Sequence, residues 1–240
     1  MILSLGNNKS IFVTLQEKDI EECRSISVVR EKFHLWGDKA SFENKRYRKG
    51  ILNTKKDPRR TERIGLYGEK VFSLLTGFPL DQSKREEGDP GWDFIIDNLK
   101  IDIKTASWEN LNFTKIYKPK YYGEHYLKAT DDYGNLLTLR SDVYFICSLI
   151  YHNGEKVVIV NGKKYRSEID ATKVIIEIKG FILKEEILKN KEQRLADKLV
   201  KDEKAKWKNY YIKNEELISP LEFLWEHRNS LNSSKISIFV

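Results

Sequence analysis

Between Gly88 and Ser107 the chain reads GDPGWDFIIDNLKIDIKTAS, a run that sets four carboxylates and two lysines among residues at strand spacing. A lone Asp-x-Lys triplet such as Asp102-Ile103-Lys104 is ordinarily a pair of solvated edge charges, so its meaning depends on what faces it. If WDFIID and LKIDIK pair through a two-residue turn at Asp97-Asn98, counting puts Ile96 opposite Leu99, Phe94 opposite Ile101 and Trp92 opposite Ile103. One side of that hairpin is continuously apolar. The other side sets Asp93 opposite Asp102, with Lys104 two residues further along. Like charges directly opposed across a strand pair are destabilising, and a hard divalent cation held by oxygen ligands removes the conflict. A lysine beside such a cation orients an attacking water, deprotonates it when in its neutral amine form, and as an ammonium offsets charge in a phosphoryl transition state.

A third carboxylate is available upstream. Apolar residues at Ile64, Tyr67, Val71, Phe72, Leu74 and Leu75 give a helical period, stopped by Gly77 and Pro79, and Glu69 lies beside that apolar face. It completes the ligand set directly or through water if the N-terminal half of the helix packs near the hairpin. Asp97 is explained by the turn itself, and Asp89, just before Pro90, by fixing the loop.

These groups need a scaffold. Residues 16 to 34 carry Ile20, Cys23, Ile26, Val29 and Phe33 at near-helical spacing, which predicts a helix packing one face. The following stretch to Arg63 is rich in Lys and Arg without sustained periodicity and reads as loop or weak structure. SDVYFICSLIY (141–151) and KVIIEIKGFI (173–182) predict strands, and Asn161-Gly162 within VVIVNGKKY predicts a hairpin turn. Alternating charge and helix formers from Lys184 to Lys208 predict a helix with a solvated face, after which NYYIKNEELISPLEFLWEH returns to aromatic and apolar content and should pack back. The order of elements predicts a mixed α/β core in one domain spanning 1–240: a helical and basic segment 1–63, a core 64–183 and a helical segment 184–240.

Composition agrees and narrows the classes. The 240 residues are 40% hydrophobic and 12% aromatic, enough for a real core. A formal charge of +7 permits a polyanionic partner. No apolar run reaches the length of a membrane span and no signal peptide is evident, so a cytoplasmic protein without a membrane partner is expected. Cys23 and Cys147 suit reduced core thiols. The four histidines show no metal-ligand spacing, and no phosphate-binding or dinucleotide-binding glycine motif is present.

Glu69 in GEKVF, Asp93 in GDPGWDF and Asp102-Ile103-Lys104 in KIDIKT together resemble the PD-(D/E)XK nuclease superfamily, in its stand-alone phage or prokaryotic endonuclease form. The resemblance extends over most of residues 16 to 225, although only 64–106 carries specific motifs. It implies a restriction-endonuclease-like core, a mixed central β-sheet flanked by helices. It further implies a DNA endonuclease that hydrolyses phosphodiester bonds by metal-activated water, with Mg²⁺ as cofactor and Mn²⁺ able to substitute. In those terms Asp93 and Asp102 are ligands, Ile103 adds its carbonyl, Lys104 is catalytic and Glu69 is auxiliary. DNA is the implied partner, and a homodimer is compatible with cutting two strands. A Holliday-junction resolvase and a non-catalytic DNA-binding module that retains the fold are the alternatives. The Gln-x-x-x-Tyr motif of exonuclease-type members and the cysteines of iron-sulfur members are absent. Arg59, Arg60 and Arg63, just before the Glu69 helix, and Lys115, Lys118 and Lys120, interleaved with Tyr117, Tyr121, Tyr122 and Tyr126, are candidate DNA contacts; a solvated turn and core tyrosines explain them equally well.

Overall fold

The computed structural model describes residues 2–5, 10–37, 58–80, 91–107, 124–130, 135–154, 156–160, 163–168, 171–189, 191–200 and 203–231. Strands β1 (Ile2–Leu5) and β2 (Ile11–Leu15) precede helices α1 (Glu17–Gly37) and α2 (Pro58–Thr76). Strands β3 (Phe94–Ile96), β4 (Leu99–Ser107), β5 (Glu124–Lys128) and β6 (Val143–His152) follow, then the hairpin β7 (Lys156–Val160) and β8 (Lys163–Glu168), then β9 (Val174–Leu183). Short helices α3 (Lys184–Lys189) and α4 (Lys191–Arg194) lead to β10 (Leu195–Val200) and β11 (Glu203–Lys213), and α5 (Pro220–Glu226) comes last.

The result is a mixed α/β arrangement around a six-stranded sheet of order β1-β2-β9-β6-β4-β3. Its neighbours pair antiparallel except β4 with β6, which run parallel with Asp102 beside Tyr144 and Lys104 beside Ile146. Alternation along the strands divides the sheet into two faces. Ile101, Ile103, Phe145, Cys147, Ile176 and Ile178 belong to a large core shared with α1, α2 and α5. Asp102, Lys104, Tyr144 and Ile146 alternate with them and so point to the other face. There a second core gathers Tyr144 and Ile182 with Leu127, Tyr210 and Ile212 from the three-stranded sheet β10-β11-β5.

The expected helix over 16–34 and strands over 141–151 and 173–182 correspond to α1, β6 and β9. In α1, Ile20, Cys23 and Ile26 are buried, whereas Val29 is 37% exposed. Helix α2 begins at Pro58, so Arg59, Arg60 and Arg63 belong to its first turns rather than to a loop; proline suits that opening position, where its missing N–H costs nothing. Strands β7 and β8 pair antiparallel on either side of Asn161-Gly162, as the turn signal requires.

One expectation is overturned. The charged stretch 184–208 is not one long helix, because after two short helices the chain turns into the β10–β11 hairpin. Helix propensity in this stretch is outweighed by pairing of β11 with β5, which buries Tyr210 and Ile212 in the second core. The closing segment packs back as expected, with Phe223 and Leu224 of α5 buried against the main core. Cys23 and Cys147 are buried free thiols. Among the described residues no helix is long and apolar enough to cross a membrane.

Candidate active site

The hairpin that opens the site has the turn its sequence demands. Asp97 and Asn98 take φ of 50° and 66°, the left-handed pair that matches the twist of the flanking strands. Asp97 serves the turn rather than chemistry: its carboxylate accepts from Ser230 and lies 2.6 Å from His227 Nδ1, which ties the turn to the end of α5. Those two bonds hold the Asp97 carboxyl below the usual carboxylate range. The apolar side is in the register counted from the sequence, with Ile96 opposite Leu99 and Phe94 opposite Ile101.

Beyond Phe94 the register changes. Strand β3 begins at Phe94, so Trp92 and Asp93 do not continue the ladder opposite Ile103 and Asp102. Instead Asp93 N–H donates to Ile101 O at 2.7 Å, and an Asp93 carboxylate oxygen accepts from Ile103 N–H at 2.7 Å. The side chain thus occupies the place of the next backbone acceptor along the free edge of β4. This corrects the simple picture of two carboxylates opposed across a strand pair. Yet Asp93 is brought to the same triplet, because in a strand the N–H and C=O of one residue leave by the same edge. The Ile103 carbonyl therefore leaves β4 on the edge where Asp93 sits.

Helix α2 supplies Glu69 through close contact with β4. Gly68 faces the strand, and a Cβ there would collide with Thr105 Oγ1 and approach Ile103 Cγ2 to 3.2 Å. Only glycine allows the backbone of α2 this close to the triplet. Glu69, 7% exposed, is gripped by Arg30 of α1 in a two-point fork, Nη1 to Oε1 at 3.1 Å and Nη2 to Oε2 at 3.0 Å. Asp102 is buried and receives Lys104 Nζ at 2.7 Å, while the Lys104 side chain is 49% exposed. The lysine thus reaches from a buried acid toward solvent, a suitable position for a group that must meet a substrate.

Ionisation of Asp93 is disfavoured. Burial, then the neighbouring Glu69 and Asp102 carboxylates, push its carboxyl up to about 8, against the Ile103 N–H bond and Lys104, which favour ionisation. Three carboxylates share this corner; Arg30 grips Glu69 and Lys104 bridges to Asp102. Oxygen donors of this type fit a hard divalent cation. In the observed arrangement Glu69 and Asp102 are turned onto cations of the chain itself, and among the described residues no three His, Cys, Asp or Glu side chains are gathered closely enough to hold a metal.

The remaining candidates separate. Arg63 is 4% exposed and donates through Nε to Ser27 Oγ at 3.2 Å, fastening α2 to α1 instead of lying open on the surface. Arg59 and Arg60 lie in the first turn of α2. Lys115, Lys118, Lys120 and Asp89 lie outside the described residues. Tyr126 is 45% exposed, with its ring centroid 5.7 Å from that of Tyr211 across the β5–β11 pairing.

Arg30 was not among the sequence candidates. Within α1 it is one basic residue among several, and only the crossing of two helices shows its partner. A second acid-x-Lys triplet, Glu177-Ile178-Lys179 on β9, also escaped notice although it repeats the spacing of Asp102 to Lys104. Its setting differs. Glu177 accepts from Ser10 Oγ at 3.1 Å. Burial lowers the Lys179 ammonium to about 8, with Glu177 opposing that shift. Asp102, by contrast, has the Asp93 carboxylate for a neighbour. Comparison of the chain with known protein families, with curated proteins and with solved structures finds no match.

Proposed function

We propose that this chain is a metal-dependent DNA endonuclease of the PD-(D/E)XK type, with a restriction-endonuclease-like core. The observation that carries the reading is the convergence at one sheet edge of a half-buried Asp93 whose ionisation is disfavoured, the Asp102–Lys104 pair and helix-borne Glu69. Asp93 and Asp102 are the residues that would hold a Mg²⁺ or Mn²⁺ ion, with the Ile103 carbonyl at the same edge and Glu69 beside them. Such an ion supplies Lewis-acid activation of water and neutralises charge on a phosphate.

The chain's own groups do the rest. Ile103 N–H holds one carboxylate oxygen of Asp93 and so fixes its position at this edge. Lys104, half exposed, orients a water for in-line attack and balances the negative charge that grows on the phosphate oxygens. Gly68 sets the depth of α2 and with it the position of Glu69. The net charge of +7 favours a polyanionic substrate.

A second reading, a DNA-binding module without catalysis, is favoured by one observation: Glu69 and Asp102 are both satisfied by the chain's own cations. Incubation with Mg²⁺ and a panel of linear duplex, single strand, flap and four-way junction distinguishes these readings and the resolvase alternative. The endonuclease reading expects cleavage of duplex that is lost in Asp102→Asn. Binding of DNA without cleavage of any substrate, together with no Mn²⁺ uptake by calorimetry, would sink it in favour of the module.

A further inference from the structure

We infer that Lys100 and Arg140 form a phosphate-contact strip that seats a DNA strand alongside the Asp102–Lys104 triplet, and that Trp92 is the positioning residue for Lys100. The inference rests on DNA as the partner proposed above; it requires neither a bound metal nor cleavage. Its first support is register. Lys100 precedes Asp102 and Lys104 by two and four residues on β4, so alternation puts all three on the face opposite to Ile101 and Ile103. Across the hairpin Lys100 is paired with Ile95, which is 51% exposed, so this face is open to solvent at β3, the edge strand of the sheet. Lys100 lies about 7 Å along the strand from Asp102, the axial rise of about two nucleotides of one DNA strand. A strand whose phosphate reaches the triplet therefore brings a neighbouring phosphate to Lys100.

The second support is how Lys100 is held. Its Nζ sits over the Trp92 ring, 4.1 Å from the centroid. The ring attracts the charge without accepting strong hydrogen bonds, so the ammonium donors remain for a phosphate. A long side chain anchored in this way loses less freedom when it meets a ligand. Trp92 is half-buried and belongs to neither hydrophobic core, so burial alone does not account for a tryptophan at this edge. The third support is charge. Gly91, beside Trp92 and at φ 89°, lies against the stem of Arg140, where a Cβ would come within 2.8 Å of Arg140 Cδ. Ser141 Oγ donates to Gly91 O at 2.6 Å and ties the two segments together. Arg140 is exposed, and the Lys104 side chain is 49% exposed. The acids of this strip are drawn inward: Asp102 is buried, and half-buried Asp142 accepts from Lys100 N–H at 2.9 Å. Cations therefore stand outermost, which complements a polyanionic backbone.

Fluorescence anisotropy of a labelled DNA duplex with the full chain in EDTA, read from about 50 to about 200 mM KCl, tests this. Lys100→Gln and Arg140→Gln should each weaken binding about fivefold to tenfold near 100 mM KCl and reduce the slope of log affinity against log salt by about 0.9, the share of one phosphate contact. Lys18→Gln removes the same charge from the exposed start of α1, a helix on the opposite face of the sheet, and should leave the slope near that of the wild type. Lys100→Arg keeps the cation and its ring contact and should restore binding, which guards against a folding defect in Lys100→Gln. Trp92→Leu should weaken binding about twofold to fivefold with little change in slope, because the charge stays and only its anchor is lost; Trp92→Phe, which keeps a ring face, should bind like the wild type. A Lys100→Gln or Arg140→Gln slope no lower than that of Lys18→Gln overturns the phosphate strip, and wild-type affinity in Trp92→Leu overturns the positioning role. If the wild type itself shows no salt-dependent binding, DNA is not the partner, and the functional reading fails together with the inference.

Discussion

Replacing Asp93 by Asn should make the metal-free protein more stable at neutral pH and remove much of the pH dependence of its stability. Asn keeps an oxygen for Ile103 N–H but carries no charge. In the wild type the carboxyl moves from an ordinary 3.8 to about 8, chiefly through burial and then through Glu69 and Asp102. A group whose folded value is raised contributes stability that is fully present below the unfolded value and is lost as pH rises through the folded one. The loss therefore runs from about pH 4 to about pH 8, with a slope near 1.4 kcal/mol per pH unit, and amounts to about 4 kcal/mol by pH 7. Against a typical total of about 5–15 kcal/mol this is a large fraction. Urea unfolding of both proteins in EDTA at pH 5, 6, 7 and 8 measures it. The difference between them should grow with pH in favour of Asp93→Asn, and added Mg²⁺ should narrow it by stabilising the wild type alone. Parallel curves across that range would show that the Asp93 carboxyl is not raised in the folded protein and would refute the electrostatic account of the site.

Two further substitutions probe the frame. Gly68→Ala gains about 1 kcal/mol of helix propensity but drives a methyl into Thr105 and Ile103, at an overpacking cost of about 1–3 kcal/mol; a lower Tm and reduced cleavage should appear together, whereas an unchanged Tm would show that α2 is free to shift. His125 is held at about 4 by burial, with Lys179 acting in the same direction and the bond to Asn214 opposing them. A depressed folded value means stability present above the ordinary value of 6.5 and lost as pH falls toward 4, so His125→Asn should flatten the unfolding profile over that acid range; an unaltered slope there would contradict the assignment.

What could be seen in the sequence was local. The Asp97-Asn98 turn follows from two residues that tolerate positive φ, and the apolar register of Phe94 with Ile101 follows from period-two alternation around it. Glu69 beside an apolar helical stripe was visible for the same reason. Everything that depended on a distant partner was hidden. Asp93 leaves the ladder because its carboxylate bonds Ile103 N–H, which no spacing rule anticipates. Arg63 turns inward because Ser27 of another helix receives it, and Arg30 enters the site because Glu69 of α2 crosses its path. The stretch after Arg194 is strand rather than helix because β5 offers β11 a pairing edge. The helix propensity of that stretch is a weak preference that a few buried aromatic contacts outweigh.

Lys104 gives the most direct test of the central claim, since it is assigned to the chemistry and not to holding the metal. Single-turnover cleavage of duplex DNA by Lys104→Ala with saturating Mg²⁺ should fall by at least about a hundredfold, while Mn²⁺ uptake and the unfolding midpoint stay near those of the wild type. Cleavage at the wild-type rate by Lys104→Ala would contradict the account.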